Sequence, residues 1–293
     1  KEITPAERAL LTKNVTAHAT SFIERHASQP FFLYVAHPMP HVPIYASDAF
    51  KGKTTAGLYA DVMSELDWSV GEILDTLRRK GLDDHTLVVF ASDNGPWIMY
   101  GNHGGSSLPL RQGKHTTFEG GVRVPLMVRW PGHVPPGRVE HEPVMNIDLL
   151  PTVVTLAGGA VPTDRIIDGR DLGPLLTGRA PARPLHEALF FFGGFSGTEL
   201  NAVRVGPWKL HVPHPYVDAT PGQDGARGTY VPKQLPLSLF DLDADPGEST
   251  NLADAQRDVV ERLMREVERA RDDLGDSLTS RVGRNVRPPS GKP

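Results

Sequence analysis

Thr86-Leu-Val-Val-Phe-Ala-Ser-Asp93-Asn94-Gly95 is the stretch on which the reading of this chain turns. Leu87 to Ala91 is an unbroken apolar run containing Val88, Val89 and Phe90. Such a run marks a strand covered on both faces, the habit of parallel sheets flanked by helices. It stops abruptly in Ser-Asp-Asn-Gly. Open α/β sheets bind ligands at the carboxyl ends of their strands. A carboxylate beside an amide offers hard oxygens suited to Ca²⁺ or Mg²⁺. The same residues also make an ordinary turn, so this stretch alone leaves both readings open.

Working outward, residues 57–80 carry Leu58, Val62, Leu66, Val70, Ile73, Leu74 and Leu77 at helical spacing, with Gly81 placed to end the helix. Phe31 to Ala36 reads as a second buried strand. It runs into His37-Pro-Met-Pro-His41-Val-Pro, a loop stiffened by prolines and holding two imidazoles. Thr4-Pro5-Ala6-Glu7 has the residues of a capping box and predicts a helix to about His26. Downstream, residues 95–123 are glycine-rich and lack apolar periodicity, yet hold His103, Arg111, Lys114, His115, Glu119 and Arg123. A loop this long in a compact domain is usually functional. Val124 to Trp130 reads as a strand, and Asp148 as the cap of a helix through Ala157. Alternating strands and helices predict a parallel sheet with crossover connections.

A Pro/Gly-rich passage to about Pro184 marks a boundary, after which the pattern changes. Leu189–Phe192, Leu200–Val205, Trp208–Val212 and Leu237–Leu242 are short strands at hairpin spacing, and 213–236 reads as a surface excursion. Leu252, Val259, Leu263, Val267, Ala270 and Leu274 line one face of a last helix, and the chain from Gly275 reads as a frayed tail. The expected division is therefore 1–184, 185–274 and 275–293.

Composition narrows the class. The 293 residues carry a net charge of −4 and 39% hydrophobic side chains. Basic residues gather only near the end, which argues against nucleic-acid binding. No apolar run approaches the roughly 18 residues that span a membrane. Zero Cys excludes disulfides and thiolate-ligated metals. The start at Lys1 reads as processed or cut. Nothing sets an oligomeric state.

Four stretches together resemble the sulfatases of the alkaline-phosphatase superfamily. They are Phe31-Phe-Leu-Tyr…His41, Val88-Val-Phe-Ala-Ser-Asp93-Asn94-Gly95, Leu110-Arg-Gln-Gly-Lys114-His-Thr-Thr-Phe-Glu119-Gly-Gly-Val-Arg123-Val-Pro125, and Leu239-Phe-Asp-Leu-Asp-Ala-Asp-Pro-Gly-Glu-Ser-Thr-Asn-Leu252. The resemblance implies an alkaline-phosphatase-like α/β fold, a mainly parallel sheet between helices followed by a small antiparallel sheet with a packed helix. It implies hydrolysis of a sulfate ester on a sulfated small molecule or glycan, and for many relatives an exported or lysosomal setting. Asp93 and Asn94 would ligate Ca²⁺, or Mg²⁺ in some members. Lys114 would pair with a sulfate oxygen, and His41 would bond the sulfate or protonate the departing alkoxide. His211 would line the substrate pocket. Apart from the resemblance, His103 reads either as a further pocket residue or as a solvent-exposed one.

The resemblance also implies a formylglycine nucleophile, made from a Cys or Ser in a [Cys/Ser]-x-Pro-x-Arg motif, and two further aspartate ligands. Both are expected upstream of Lys1. Ser107-Leu-Pro109-Leu-Arg111 matches the motif in form. It follows the metal strand instead of preceding it and runs into the Lys114 signature, so it is set aside. Two other readings compete. One keeps the fold and changes the ester, as in a phosphodiesterase or phosphonate monoester hydrolase. The other is a non-catalytic piece that docks to an N-terminal partner chain. Glu119 and Arg123 read as an ion pair that positions the loop.

Overall fold

The computed structural model describes residues 3–179, 183–194 and 197–286. Helix α1 (Pro5–Ala9) opens on Thr4, whose Oγ1 accepts from the Glu7 amide while the Glu7 carboxylate accepts from Thr4 N, closing the capping box. The single helix expected to His26 breaks at Leu10, and α2 (Leu11–Arg25) continues it. Helix α3 (Leu58–Arg79) packs on α2, with Thr16 Oγ1 donating to Ser69 Oγ at 2.6 Å between them. Gly81 follows it at φ 68°, the left-handed position a helix end favours.

Strand β1 (Val88–Ala91) pairs antiparallel with β2 (Leu126–Arg129), Val88 opposite Arg129 and Ala91 opposite Leu126. Between them in sequence lies α4 (Glu119–Val122), and α5 (Leu149–Leu156) and α6 (Gly173–Leu176) follow. Asp148 does not cap α5 with its side chain. Its carboxylate is buried and accepts from Met145 N, Arg170 N and His186, tying three segments together.

Two expectations need correction here. Among the described residues every strand pairing is antiparallel. Phe31–Ala36 forms no strand, and none of the described strands pairs with it. Its side chains keep the two-residue alternation, with Phe32 at 73% and Tyr34 at 80% exposure. It faces β1 across an open cavity of about 2150 Å³ that both segments line.

The later part of the chain is closed. Strands β3 (Leu189–Gly193), β4 (Glu199–Val205), β5 (Trp208–His211) and β8 (Ser238–Asp241) form one antiparallel sheet in the order β3-β4-β5-β8. Helix α7 (Arg257–Leu274) packs on β4 and β5, burying Leu263, Val267 and Ala270 against Leu200, Val203, Leu210 and Leu239. The 213–236 excursion is in fact a two-stranded ribbon, β6 (His214–Thr220) with β7 (Thr229–Leu235). Pro215 and Pro232 interrupt its strand signal, and an exposed ribbon tolerates them. The expected fraying from Gly275 is not seen up to residue 286. Asp276 N donates to Arg281 O, Arg271 Nε donates to the Asp276 carboxylate at 2.9 Å, and Asn285 N donates to Asp273 O. The rest of the expected tail, 287–293, lies outside the described residues.

Candidate active site

β1 delivers Ser92-Asp93-Asn94-Gly95 to the edge of the cavity. Gly95 N donates to Gly121 O at 2.9 Å, and a Cβ on Gly95 would lie 1.9 Å from Gly120 O. Only glycine lets the strand end press this closely on α4. Asp93 is exposed and makes no side-chain hydrogen bond among the described residues. Asn94 Nδ2 donates to Gly95 O, which leaves its Oδ1 for another partner. These are two hard oxygens on adjacent residues, so the donor type fits a Ca²⁺ or Mg²⁺ ion. Among the described residues no three His, Cys, Asp or Glu side chains converge to complete a set.

The second element comes from the signature loop. Lys114 N donates to Pro96 O at 2.9 Å, which ties that loop to the segment after β1. Lys114 Nζ lies 3.1 Å from His41 Nε2. His41 Nδ1 lies 2.8 Å from Val42 O, and a carbonyl can only accept, so Nδ1 carries the proton. Nε2 therefore offers its lone pair to the Lys114 ammonium. Both side chains rest on Trp97, with Lys114 Nζ 5.0 Å from its ring centre and the His41 ring 5.5 Å away. Trp97 Nε1 donates to Tyr230 OH at 2.6 Å, so the β6–β7 ribbon holds this platform from outside. His115 stands beside Lys114 at φ 75°, a left-handed backbone uncommon for a non-glycine residue. Burial, and then the Lys114 charge, hold its pKa below the ordinary histidine value.

His41, Asp93, Asn94 and Lys114 thus line one cavity. The other two candidates do not join them. His103 ends a 3₁₀ turn beside Gly225 of the β6–β7 connection. His211 has no exposure at all, and its Nε2 lies 2.9 Å from Glu248 Oε1. In this structure it is not a pocket wall, because β5 turns it into the seam between the two parts of the chain. Ser107 donates to Gln112 O and Leu110 O, the bonds of a turn-forming hydroxyl. His37 Nε2 lies 3.3 Å from Ser69 Oγ and is not held by a backbone carbonyl.

The seam around His211 contains residues that local sequence reading passed over. Lys209 Nζ donates to Glu119 Oε1 at 2.8 Å and lies 3.2 Å from Glu248 Oε1. Glu248 Oε2 accepts from Glu119 N at 2.6 Å. Lys209 and Glu248 are fully buried and Glu119 is 1% exposed. Arg204 and Arg123 approach Glu119 Oε2 at 3.7 and 3.8 Å. So Arg123 does pair with Glu119, but as the longest of its contacts. Burial drives His211 down to about 4, against the opposing pull of Glu248. Burial alone would raise Glu248, but the His211 hydrogen bond and the Lys209 charge outweigh it and hold the carboxyl below its usual range.

With a cavity at the carboxyl end of β1, a cationic loop beside it and a separate antiparallel sheet carrying a helix, the chain shares the alkaline-phosphatase-like α/β fold of solved structures it superposes on. The Sulfatase family description matches residues 3–160, and that of the C-terminal region of aryl-sulfatase matches residues 185–290. The chain belongs to the sulfatase family. It is 37% identical to steryl-sulfatase of Homo sapiens over 281 residues, 89% of this chain and 47% of that protein. It is 41% identical to arylsulfatase A of Bos taurus over 250 residues, 83% of this chain and 48% of that protein. The crystal structure of the PsFucS1 sulfatase from Pseudoalteromonas sp. superposes with a TM-score of 0.79 at 24% identity, covering 90% of this chain and 53% of the other. The chain spans about half the length of the curated relatives it matches.

Proposed function

We propose that this chain carries the sulfate-anchoring part of a sulfuric ester hydrolase acting on a sulfated small molecule or glycan. The observation that carries the reading is the Lys114–His41 contact at 3.1 Å, opening on the cavity that Asp93 and Asn94 also line. A sulfate oxygen entering here takes the Lys114 ammonium away from His41 Nε2. Lys114 then meets the charge that builds on the leaving oxygen, in a geometry set before substrate arrives. His41, held by Val42 O, presents Nε2 to the sulfate side and can pass a proton to the departing alkoxide once it is charged. Trp97 orients both groups and walls off water on one side.

Asp93 and Asn94 Oδ1 would hold the divalent metal, Ca²⁺ or Mg²⁺, which supplies charge stabilisation at sulfate oxygens. Two ligands fall well short of the roughly six to eight oxygens that Ca²⁺ takes, so the reading assigns further ligands beyond these two residues. It likewise assigns the formylglycine nucleophile to residues outside these 293, and gives Ser107 only its turn role.

Calorimetric titration with inorganic sulfate, with and without Ca²⁺, tests this without requiring turnover. Saturable sulfate binding that weakens about thirtyfold or more in Lys114→Ala is expected. Absence of sulfate binding, or binding indifferent to Lys114→Ala, contradicts the reading. Tighter binding of inorganic phosphate than of sulfate moves the assignment to a phosphate or phosphonate ester.

A further inference from the structure

We infer that Glu248 and Lys209 are positioning residues for the sulfate anchor: from the turn after β8 and from β5 they fix α4, and α4 fixes the spacing between Lys114 and Asp93–Asn94. The inference rests on the reading of Lys114 as the anchor, and its test is built to fail separately.

Helix α4 is held from both parts of the chain. Its first residue, Glu119, is clamped at both ends. The backbone N–H donates to Glu248 Oε2 at 2.6 Å, and the side chain accepts from Lys209 Nζ at 2.8 Å. Gly120 N donates to Arg111 O, and Gly121 O accepts from Gly95 N. The short helix therefore touches the Lys114 loop on one side and the metal strand's end on the other. Arg111 adds a second strut. Its Nη1 donates to Glu248 O at 2.8 Å, while its guanidinium lies 4.0 Å over the Phe118 ring. Four residues of α4's surroundings, Phe118, Lys209, His211 and Glu248, have no exposure.

A packing contact on a one-turn helix could be apolar. Burying two carboxylates and an ammonium is costly, and apolar replacements of such clusters are often as stable or more so. What ions add is direction: each hydrogen bond fixes an atom, and a side-chain oxygen held to a backbone N–H leaves little slack. That is what an anchor needs when a displacement of about 1 Å can cost a hundredfold in rate. The C-terminal sheet is thereby a jig for the site and not only a neighbour to it.

The test uses the full chain and two readouts. The first is the dissociation constant for inorganic sulfate. The second is the emission of Trp97, isolated by subtracting the spectrum of Trp97→Phe. Lys114 Nζ sits 5.0 Å from the Trp97 ring centre, so this signal reports where the ammonium is. In Glu248→Ala, sulfate binding weakens about tenfold and Trp97 emission moves towards that of Lys114→Ala. Glu248→Gln, which keeps an oxygen for the Glu119 N–H, recovers binding to within about threefold. Glu248→Ala in a Lys114→Ala background adds nothing, as expected of residues acting through one another. A folded Glu248→Ala protein with parental sulfate binding and parental Trp97 emission overturns the proposal. Should Glu248→Ala not fold, Arg111→Lys loosens the same strut from a half-buried position: a shifted Trp97 signal supports the proposal, and an unchanged one overturns it. If the parent binds no sulfate, the anchor reading fails by itself, and the Trp97 emission alone decides the positioning claim.

Discussion

On one side of the buried charge cluster, β4, β5, β8 and α7 close over eight apolar side chains at 0–1% exposure. On the other side, β1 and β2 hold no fully buried residue, and Phe31–Ala36 faces them across an open cavity. Among the described residues, the later part of the chain reaches the cavity's Lys–His pair through Tyr230 on Trp97. The open part contains all four residues assigned to sulfate and metal. Stability and chemistry thus sit in different places, and the ion cluster is where one supports the other.

Removing the joint itself has the largest effect. Glu248→Ala takes the acceptor from the Glu119 amide and one of the two carboxylates from the Lys209 ammonium, in a seam whose members are at 0–1% exposure. A loss of about 4 kcal/mol in urea unfolding is expected. Leu263→Ala empties a site at 0% exposure between α7 and the sheet, and a loss of about 3 kcal/mol is expected in the same assay. A comparable loss at Val89→Ala in β1 would contradict the division of labour. That side chain is half-buried, and about 1 kcal/mol is expected.

Acid loads the same joint without mutation. The folded state keeps His211 neutral down to about pH 4, while the unfolded chain takes up its proton near the ordinary value of 6.5. The stability held by a neutral His211 is therefore complete above pH 6.5 and is lost as the pH falls towards 4, by about 3 kcal/mol in total. Glu248, held below its usual range, extends the loss to lower pH. His211→Gln should flatten the slope of stability against pH in that window, read from urea midpoints at several pH values. The smallest effect belongs to Arg123→Ala. Its partner distance is 3.8 Å and its side chain is 53% exposed, so about 0.5 kcal/mol or less is expected.

The sequence showed its local devices well. The Thr4 capping box, the apolar stripe of α3 and the strands around Trp208-Lys-Leu-His all follow from spacing within a few residues. Asp93 and Asn94 stood out at the abrupt end of an apolar run, Lys114 and His41 chiefly through the motifs of the resemblance, and all four line one cavity. Phe31–Ala36 has a strand's alternation but lacks the neighbour that would make it one. The β6–β7 ribbon was hidden by Pro215, Pro232 and Pro236. The Lys209–Glu119–Glu248 cluster was out of reach for a different reason. Its members are 90 and 129 residues apart in their key bonds, and no local pattern carries such a pairing. Lys209 and His211 alternate with Trp208 and Leu210, so the sequence shows two faces. It does not show that the polar face is the more buried one.

Native-state hydrogen exchange, run with and without inorganic sulfate and Ca²⁺, reads the two parts of the chain separately. The account predicts slow exchange throughout β4, β5 and α7 in both conditions, and faster exchange in β1 and in residues 110–121. Sulfate should then slow exchange at Asp93–Gly95 and Lys114–Gly121 while leaving the C-terminal sheet unchanged. Sulfate-dependent protection confined to β3–β8, or β1 exchanging as slowly as β4 before sulfate is added, would contradict it.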